Sequence, residues 1–268
     1  MSPEPESPPA PSVDGSPATK LLPAVLSVIA GSADVIGFLG LGGLFIAHIT
    51  GNLIVLAAHI VAGSAADVAG ILSVPVFILV LGLTRLLAAC LEAVGLASLR
   101  PLLLLQFLLL AGSLALGVAA GPRIVPNAAR AIVAGQLGVS ALAVQNALVQ
   151  ISLKGAPSTA VMTINITRFT MDVGEVLLGR APADMARARC RMKHTWPAIV
   201  GFTAGAGLGA TCFAAAGLWS LALPAGLALL AFAMSLTANL NRRPDGASVA
   251  ASGASPRPIP RWRTWGGR

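Results

Sequence analysis

Between residues 21 and 240 the chain passes through one apolar window after another, and few folds can accommodate so much uncharged sequence. About 20 consecutive apolar residues cross the hydrocarbon of a bilayer. Windows of that kind occupy approximately residues 69–92, 101–120, 129–151, 157–178, 197–217 and 219–240. The first apolar stretch is longer: LLPAVLSVIAGSADVIGFLGLGG is followed at once by LFIAHITGNLIVLAAHIVAG, about 42 residues in all. That is too long for one span and short for two with a loop. Only 10% of the residues are charged against 56% hydrophobic, which leaves too little polar surface to clothe a soluble helical domain. With 29 glycines, 4% aromatics and no tyrosine, the composition suits closely packed membrane helices. The expected fold is therefore all-α: a polytopic transmembrane helical bundle. Eight hydrophobic segments can be counted, or about six spans if the two weaker Thr- and Asn-bearing segments are broken or re-entrant helices.

The flanks differ from the middle. Residues 1–20 are rich in Pro and Ser and carry Glu4, Glu6 and Asp14, which predicts a disordered lead and not the basic start of a signal peptide. Residues 241–268 form a basic tail expected to be disordered and cytoplasmic. The transmembrane domain then covers 21–240, with candidate halves 21–120 and 128–240. Basic residues in short connections mark the cytoplasmic side of a membrane protein. In GRAPADMARARCRMKH, read as a loop, Arg180, Arg187, Arg189, Arg191 and Lys193 face only Asp184. Strict alternation from that loop puts the Lys154 turn outside and the link carrying Arg123 and Arg130 inside. These arginines read as topology determinants with attraction for anionic headgroups, and no nucleic-acid partner is expected. Cys90, Cys190 and Cys212 have no metal-site or CxxC spacing and read as reduced thiols.

Polar side chains inside the apolar windows carry the functional expectation, because such residues are costly in lipid unless they face protein, water or a ligand. Asp34, in GSADVIGF, either caps a broken helix and pairs with a basic group, or presents a carboxylate to a polar cavity where it holds a proton or cation. His48, Thr50, Gly51 and Asn52 interrupt the next apolar run, where Gly lets the chain turn and Thr and Asn satisfy freed backbone groups. A later stretch matches. Shifting the sequence by 113 lays Thr50 and Asn52 on Thr163 and Asn165, each followed by an apolar residue. Gln145 and Asn146 precede that second pair. This predicts an internal two-fold repeat with interrupted helices, inverted if each half has three spans and parallel if each has four. The candidate polar cavity is thus formed by Asp34, His48, Thr50, Gly51, Asn52, Gln145, Asn146, Thr163 and Asn165. Arg168 and Asp172, four residues apart, are expected to pair on one helix face, with Glu175 beyond. His48 and His59 do not make a metal motif, so neither metal nor cofactor is expected.

The stretch GSADVIGFLGLGGLFIAHITGNLIVL resembles the opening signature of the YoaK-like family of bacterial multi-pass membrane proteins, a domain of unknown function. The residues that carry the resemblance are Gly31, Asp34, Phe45, Thr50, Gly51 and Asn52. ALAVQNALVQ resembles that family's small-residue Gln-Asn segment, and TAVMTINITRF stands where the family repeats a Thr-Gly motif, with Ile164 in place of the glycine. The resemblance covers about residues 21–240 and implies a plasma or inner membrane protein of about six spans, with no established activity. A small permease or ion-coupled secondary transporter acting on an unidentified small molecule or ion is the leading expectation. A non-transport membrane scaffold or assembly protein is the alternative. No catalytic pair and no nucleotide-binding loop suggests an enzyme.

Overall fold

The computed structural model describes residues 17–63, 68–121, 128–179 and 181–237. Residues 1–16 of the lead, Arg123, Arg180 and the basic tail lie outside the described residues, whereas residues 17–20, expected to belong to a disordered lead, already form the start of the first helix. Among the described residues eight α-helices follow in order: α1 (Pro17–Gly40), α2 (Ile49–Val61), α3 (Val68–Ala93), α4 (Leu99–Ala119), α5 (Ala129–Ser152), α6 (Met162–Leu178), α7 (Pro182–Ala216) and α8 (Ala222–Thr237). A 3-10 turn, Gly217–Leu221, joins the last two. Five helical stretches are long and apolar enough to cross a membrane, the last of them running from Pro182 to Thr237 and so containing both α7 and α8. The protein is an all-α polytopic membrane bundle. Its outer surface agrees: Ile78, Leu79, Leu83 and Leu86 on α3 are all more than half exposed, an apolar face that suits lipid and not water.

Helix α5 is the centre of the bundle, with 72% of its spanning window buried, whereas α3, at 11%, lies on the periphery. Around α5 pack α3 and α4, while α1 is held between α7 and α8. The relative directions follow from paired residues. Gln106 meets Gln145, Ser113 donates to the Ala134 carbonyl and Arg130 to the Ala119 carbonyl, so α4 and α5 are antiparallel. Gln136 donates to the Ala69 carbonyl near the start of α3, and Ser98, just beyond its end, meets Ser152, so α3 and α5 are parallel. Gln145 donates to the Leu26 carbonyl, while Gly135 lies against Leu41 and Leu44, so α1 and α5 run in opposite senses.

Small residues let α1 and α7 approach almost backbone to backbone. A Cβ at Gly201, Gly205 or Gly209 would fall 2.8, 2.3 or 2.9 Å from backbone atoms of Ala24, Val28 or Ser32 respectively. At Gly31 it would fall 2.2 Å from the Phe202 carbonyl oxygen. The three glycines of α7 are spaced by four, the small-residue interval that brings membrane helices into close contact, and the rising register shows that the two helices are parallel.

Two expectations need correction. The basic segment before residue 197 is not a loop, since α7 begins at Pro182 and its Ala-, Arg- and Met-rich first turns favour helix. The alternation argument also fails for Lys154. Ser152 meets Ser98, and Arg100 of α4 donates to the Ser235 carbonyl near the end of α8. Gln145 meets Leu26 in the same half of α1 that packs on Gly201. Lys154 is therefore at the same end of the bundle as the basic start of α7, and Arg130 is at the other.

Candidate functional site: two interrupted segments and a buried amide core

After α1 the chain reverses at Gly42 and Gly43, whose φ values of 74° and 86° belong to the left-handed region that glycine adopts without penalty. Residues 41–48 then pass back along α1 without helical structure. Leu41, Leu44, Ile46 and Ala47 are buried, with Leu44 and Ile46 seated against Gly135 and Gly138 of α5. Asp34 fixes where α2 begins. Its Oδ1 accepts the backbone N–H groups of Ala47 at 2.7 Å and His48 at 3.2 Å, and its Oδ2 meets His48 Nδ1. His48, the N-cap residue of α2, makes no side-chain cap of its own, and the carboxylate of α1 instead holds the N–H groups of Ala47 and His48 just ahead of the first turn. The ring of His48 also lies edge-on to Phe202 of α7.

Asn52 holds the same segment from the other side. Its Oδ1 accepts the Phe45 N–H at 2.8 Å, and its Nδ2 donates to the Phe45 carbonyl at 2.8 Å and to Ser73 Oγ of α3 at 2.9 Å. Phe45 packs on Phe38, and a Cβ at Gly51 would come within 2.9 Å of the Phe45 ring. Thr50, Gly51 and Asn52 therefore do not interrupt the helix as expected, since all three lie in the first turns of α2 and the chain turns at Gly42 and Gly43: Thr50 faces outward, Gly51 leaves room for the aromatic ring, and Asn52 satisfies the peptide of the break just before it.

The second interruption, residues 153–161, follows α5. Asn165, fully buried, donates from Nδ2 to the Ser158 carbonyl at 2.6 Å, again seven residues back. Ser158 brings no aromatic ring, so Ile164 can stand where the first segment has Gly51, and its side chain is turned outward. Thr163 is exposed and Asn146 donates back to the Leu142 carbonyl of its own helix. Between the two interruptions lies an amide core that the sequence only half revealed. Gln106 Nε2 donates to Gln145 Oε1 at 2.7 Å, and Gln145 Nε2 donates to the Leu26 carbonyl and to Thr159 Oγ1, both at 2.9 Å. Gln106 was detectable as a lone amide in a Leu-rich run, PLLLLQFLLL.

The nine candidate residues are therefore spread over separate places. Asp34 and His48 form one cluster; Asn52 borders a small space with His59 and Gly70; Gln145 is packed in the amide core; Asn165 lines a cavity of about 590 Å³ between α6, α7 and the second interruption. The expected pairing within α6 is also replaced. Asp172, buried, takes two hydrogen bonds from Arg191 across the interface with α7, and Glu175 takes a third, whereas Arg168 has no ion pair among the described residues. Antiparallel packing of α6 on α7 brings a better-placed guanidinium to the carboxylate than its own helix offers.

The family described as protein of unknown function (DUF1275) matches residues 22–236, from within α1 to the penultimate residue of α8, and the chain belongs to that family. No curated protein and no solved structure matches it.

Proposed function

We propose that this DUF1275 protein is a small permease, an ion-coupled secondary transporter of the cell membrane, built from two inverted halves of three spans each. In this reading α1, α3 and α4 are answered by α5, α7 and α8, and α2 and α6 are re-entrant. The earlier resemblance to the YoaK-like group belongs to the same reading. One observation carries it: Asn52 grips Phe45 and Asn165 grips Ser158, each seven residues back, after helices α1 and α5 that run in opposite senses. The starts of α2 and α6 also keep the interval of 113, at Ile49 and Met162. Paired helix breaks entering from opposite faces are how many secondary transporters make their binding sites, with irregular backbone tolerated because it is covered by protein. The end bearing Arg100, Lys154 and the basic turns of α7 is then cytoplasmic, and the C-terminus with it.

A scaffold is favoured by a different observation, namely that Asn52, Gln145 and Asn146 are engaged in separate helix-to-helix or backbone bonds and share no common cavity. Flux separates the two. Protein in sealed vesicles, given a mixed panel of small solutes under a proton or sodium gradient, should accumulate at least one of them above protein-free vesicles. Asp34→Asn is expected to keep one accepting oxygen and the fold, at a loss of about 1.5–3 kcal/mol, while gradient-driven uptake falls at least about ten-fold, a factor equivalent to about 1.4 kcal/mol. Unchanged uptake in that variant removes the coupling role of Asp34; no accumulation of any solute leaves the scaffold.

A further inference from the structure

The two asparagine clamps differ in one respect. Asn52 is satisfied on both sides of its amide, whereas Asn165 Oδ1 is buried and has no hydrogen-bond partner. The amide orientation is fixed, because only the NH2 group can donate to the Ser158 carbonyl. A buried carbonyl oxygen without a donor is unfavourable, and such atoms in folded proteins call for a missing partner. Asn165 lines the 590 Å³ cavity, whose size lies in the range of small-molecule sites.

The charges on its wall are unequal. Arg191 is engaged by Asp172 and Glu175, but Arg168 is left without an ion pair among the described residues. Asn165 and Arg168 are three apart on α6, the interval that sets side chains on one face some 5–6 Å apart. Ala156, Pro157 and Met171 supply apolar wall between the interrupted segment and α6. Oδ1 is screened from solvent in the conformation described, so a donor reaches it as the segment beside it yields. Gly155, at φ 88°, lines the same cavity, with no atom within 4 Å of a Cβ built on it.

We propose that this cavity binds an apolar α-amino acid: its ammonium donates to Asn165 Oδ1, its carboxylate faces Arg168, and its side chain lies on Ala156, Pro157 and Met171. As the cargo of the transporter this assignment rests on the permease reading, but binding is measured without flux. Calorimetry on the purified full-length protein in lipid nanodiscs uses three probes: L-leucine, 4-methylpentanoate, which lacks the ammonium, and L-leucinamide, which lacks the carboxylate. Leucine is expected to bind at least ten-fold more tightly than either. Arg168→Gln, a change at an exposed helix position, should weaken leucine at least ten-fold and leave leucinamide unchanged. Asn165→Leu should remove the preference for leucine over 4-methylpentanoate; if it fails to fold, the Arg168 variant decides. No binding of leucine, equal binding of the three probes, or indifference to Arg168→Gln overturns the site. Leucine binding without uptake in vesicles keeps the site and removes the permease. Uptake of other solutes without leucine binding does the reverse.

Discussion

Gly205→Leu should leave little folded protein. A Cβ at that position would lie 2.3 Å from the Val28 carbonyl oxygen and 2.8 Å from the Val28 Cα, so no rotamer relieves the clash and α7 must move off α1. Overpacking a tight core costs about 1–3 kcal/mol even where side chains can yield. Here the obstacle is backbone, and a loss of about 3 kcal/mol or more is expected, a large part of the stability of an ordinary domain. Gly207 supplies the control. It is on the same helix, two residues on, with nothing within 4 Å of its Cβ position. Gly207→Leu should change stability by no more than about 0.5 kcal/mol. Thermal unfolding of both variants in detergent, followed by size-exclusion elution, reads the difference. Equal behaviour would mean that the α1–α7 contact does not hold the bundle together.

The second large effect is an asymmetry between the two clamps. Asn52→Leu strips partners from both the N–H and the carbonyl of Phe45 in a part-buried, non-helical segment that has no ladder of its own to replace them. Each buried polar group left unsatisfied costs about 1–3 kcal/mol, so a loss of roughly 2–6 kcal/mol is expected. Asn165→Leu uncovers one carbonyl, that of Ser158, and removes an acceptor that had no donor in the first place. Its cost should be near 1 kcal/mol. The same unfolding measurement ranks them, and a greater loss at Asn165 than at Asn52 would contradict the roles assigned to the two amides.

Hydropathy located most of the helices. The windows at 69–92, 101–120 and 129–151 coincide closely with Val68–Ala93, Leu99–Ala119 and Ala129–Ser152, because an apolar run bounded by Gly, Pro or charge has no other way to satisfy its backbone in lipid. The interrupted segments were legible only in part: the run was expected to break at His48, Thr50, Gly51 and Asn52, whereas the non-helical stretch is 41–48, reversed at Gly42 and Gly43, and Thr50, Gly51 and Asn52 are already helical. What the Asn residues satisfy was not legible. A sequence does not show that Asn52 reaches Phe45 and Ser73 together, or that Asp34 holds the chain just ahead of a helix beginning 15 residues later at Ile49. Arg191 was assigned to a loop and Arg168 to Asp172 because local spacing favours neighbours on one helix. The α6–α7 packing that brings Arg191 to Asp172 is a tertiary fact. The side assigned to Lys154 failed for a related reason: alternation counts every apolar segment as a crossing, and α6, only 17 residues long with Arg168, Asp172 and Glu175 along it, is ill suited to be one.

The inverted arrangement, with α2 and α6 returning to the face from which each entered, is most directly tested by labelling from the two sides of the membrane. With Cys90, Cys190 and Cys212 replaced by serine, single cysteines are placed at Ala62, just after α2, and at Lys154, at the start of the second interruption. A membrane-impermeant maleimide is then applied to intact cells and to opened ones. The six-span inverted arrangement predicts that Ala62→Cys reacts in intact cells and Lys154→Cys only after opening. Labelling with the sides exchanged, as eight full crossings and a cytoplasmic start of α7 require, would contradict it.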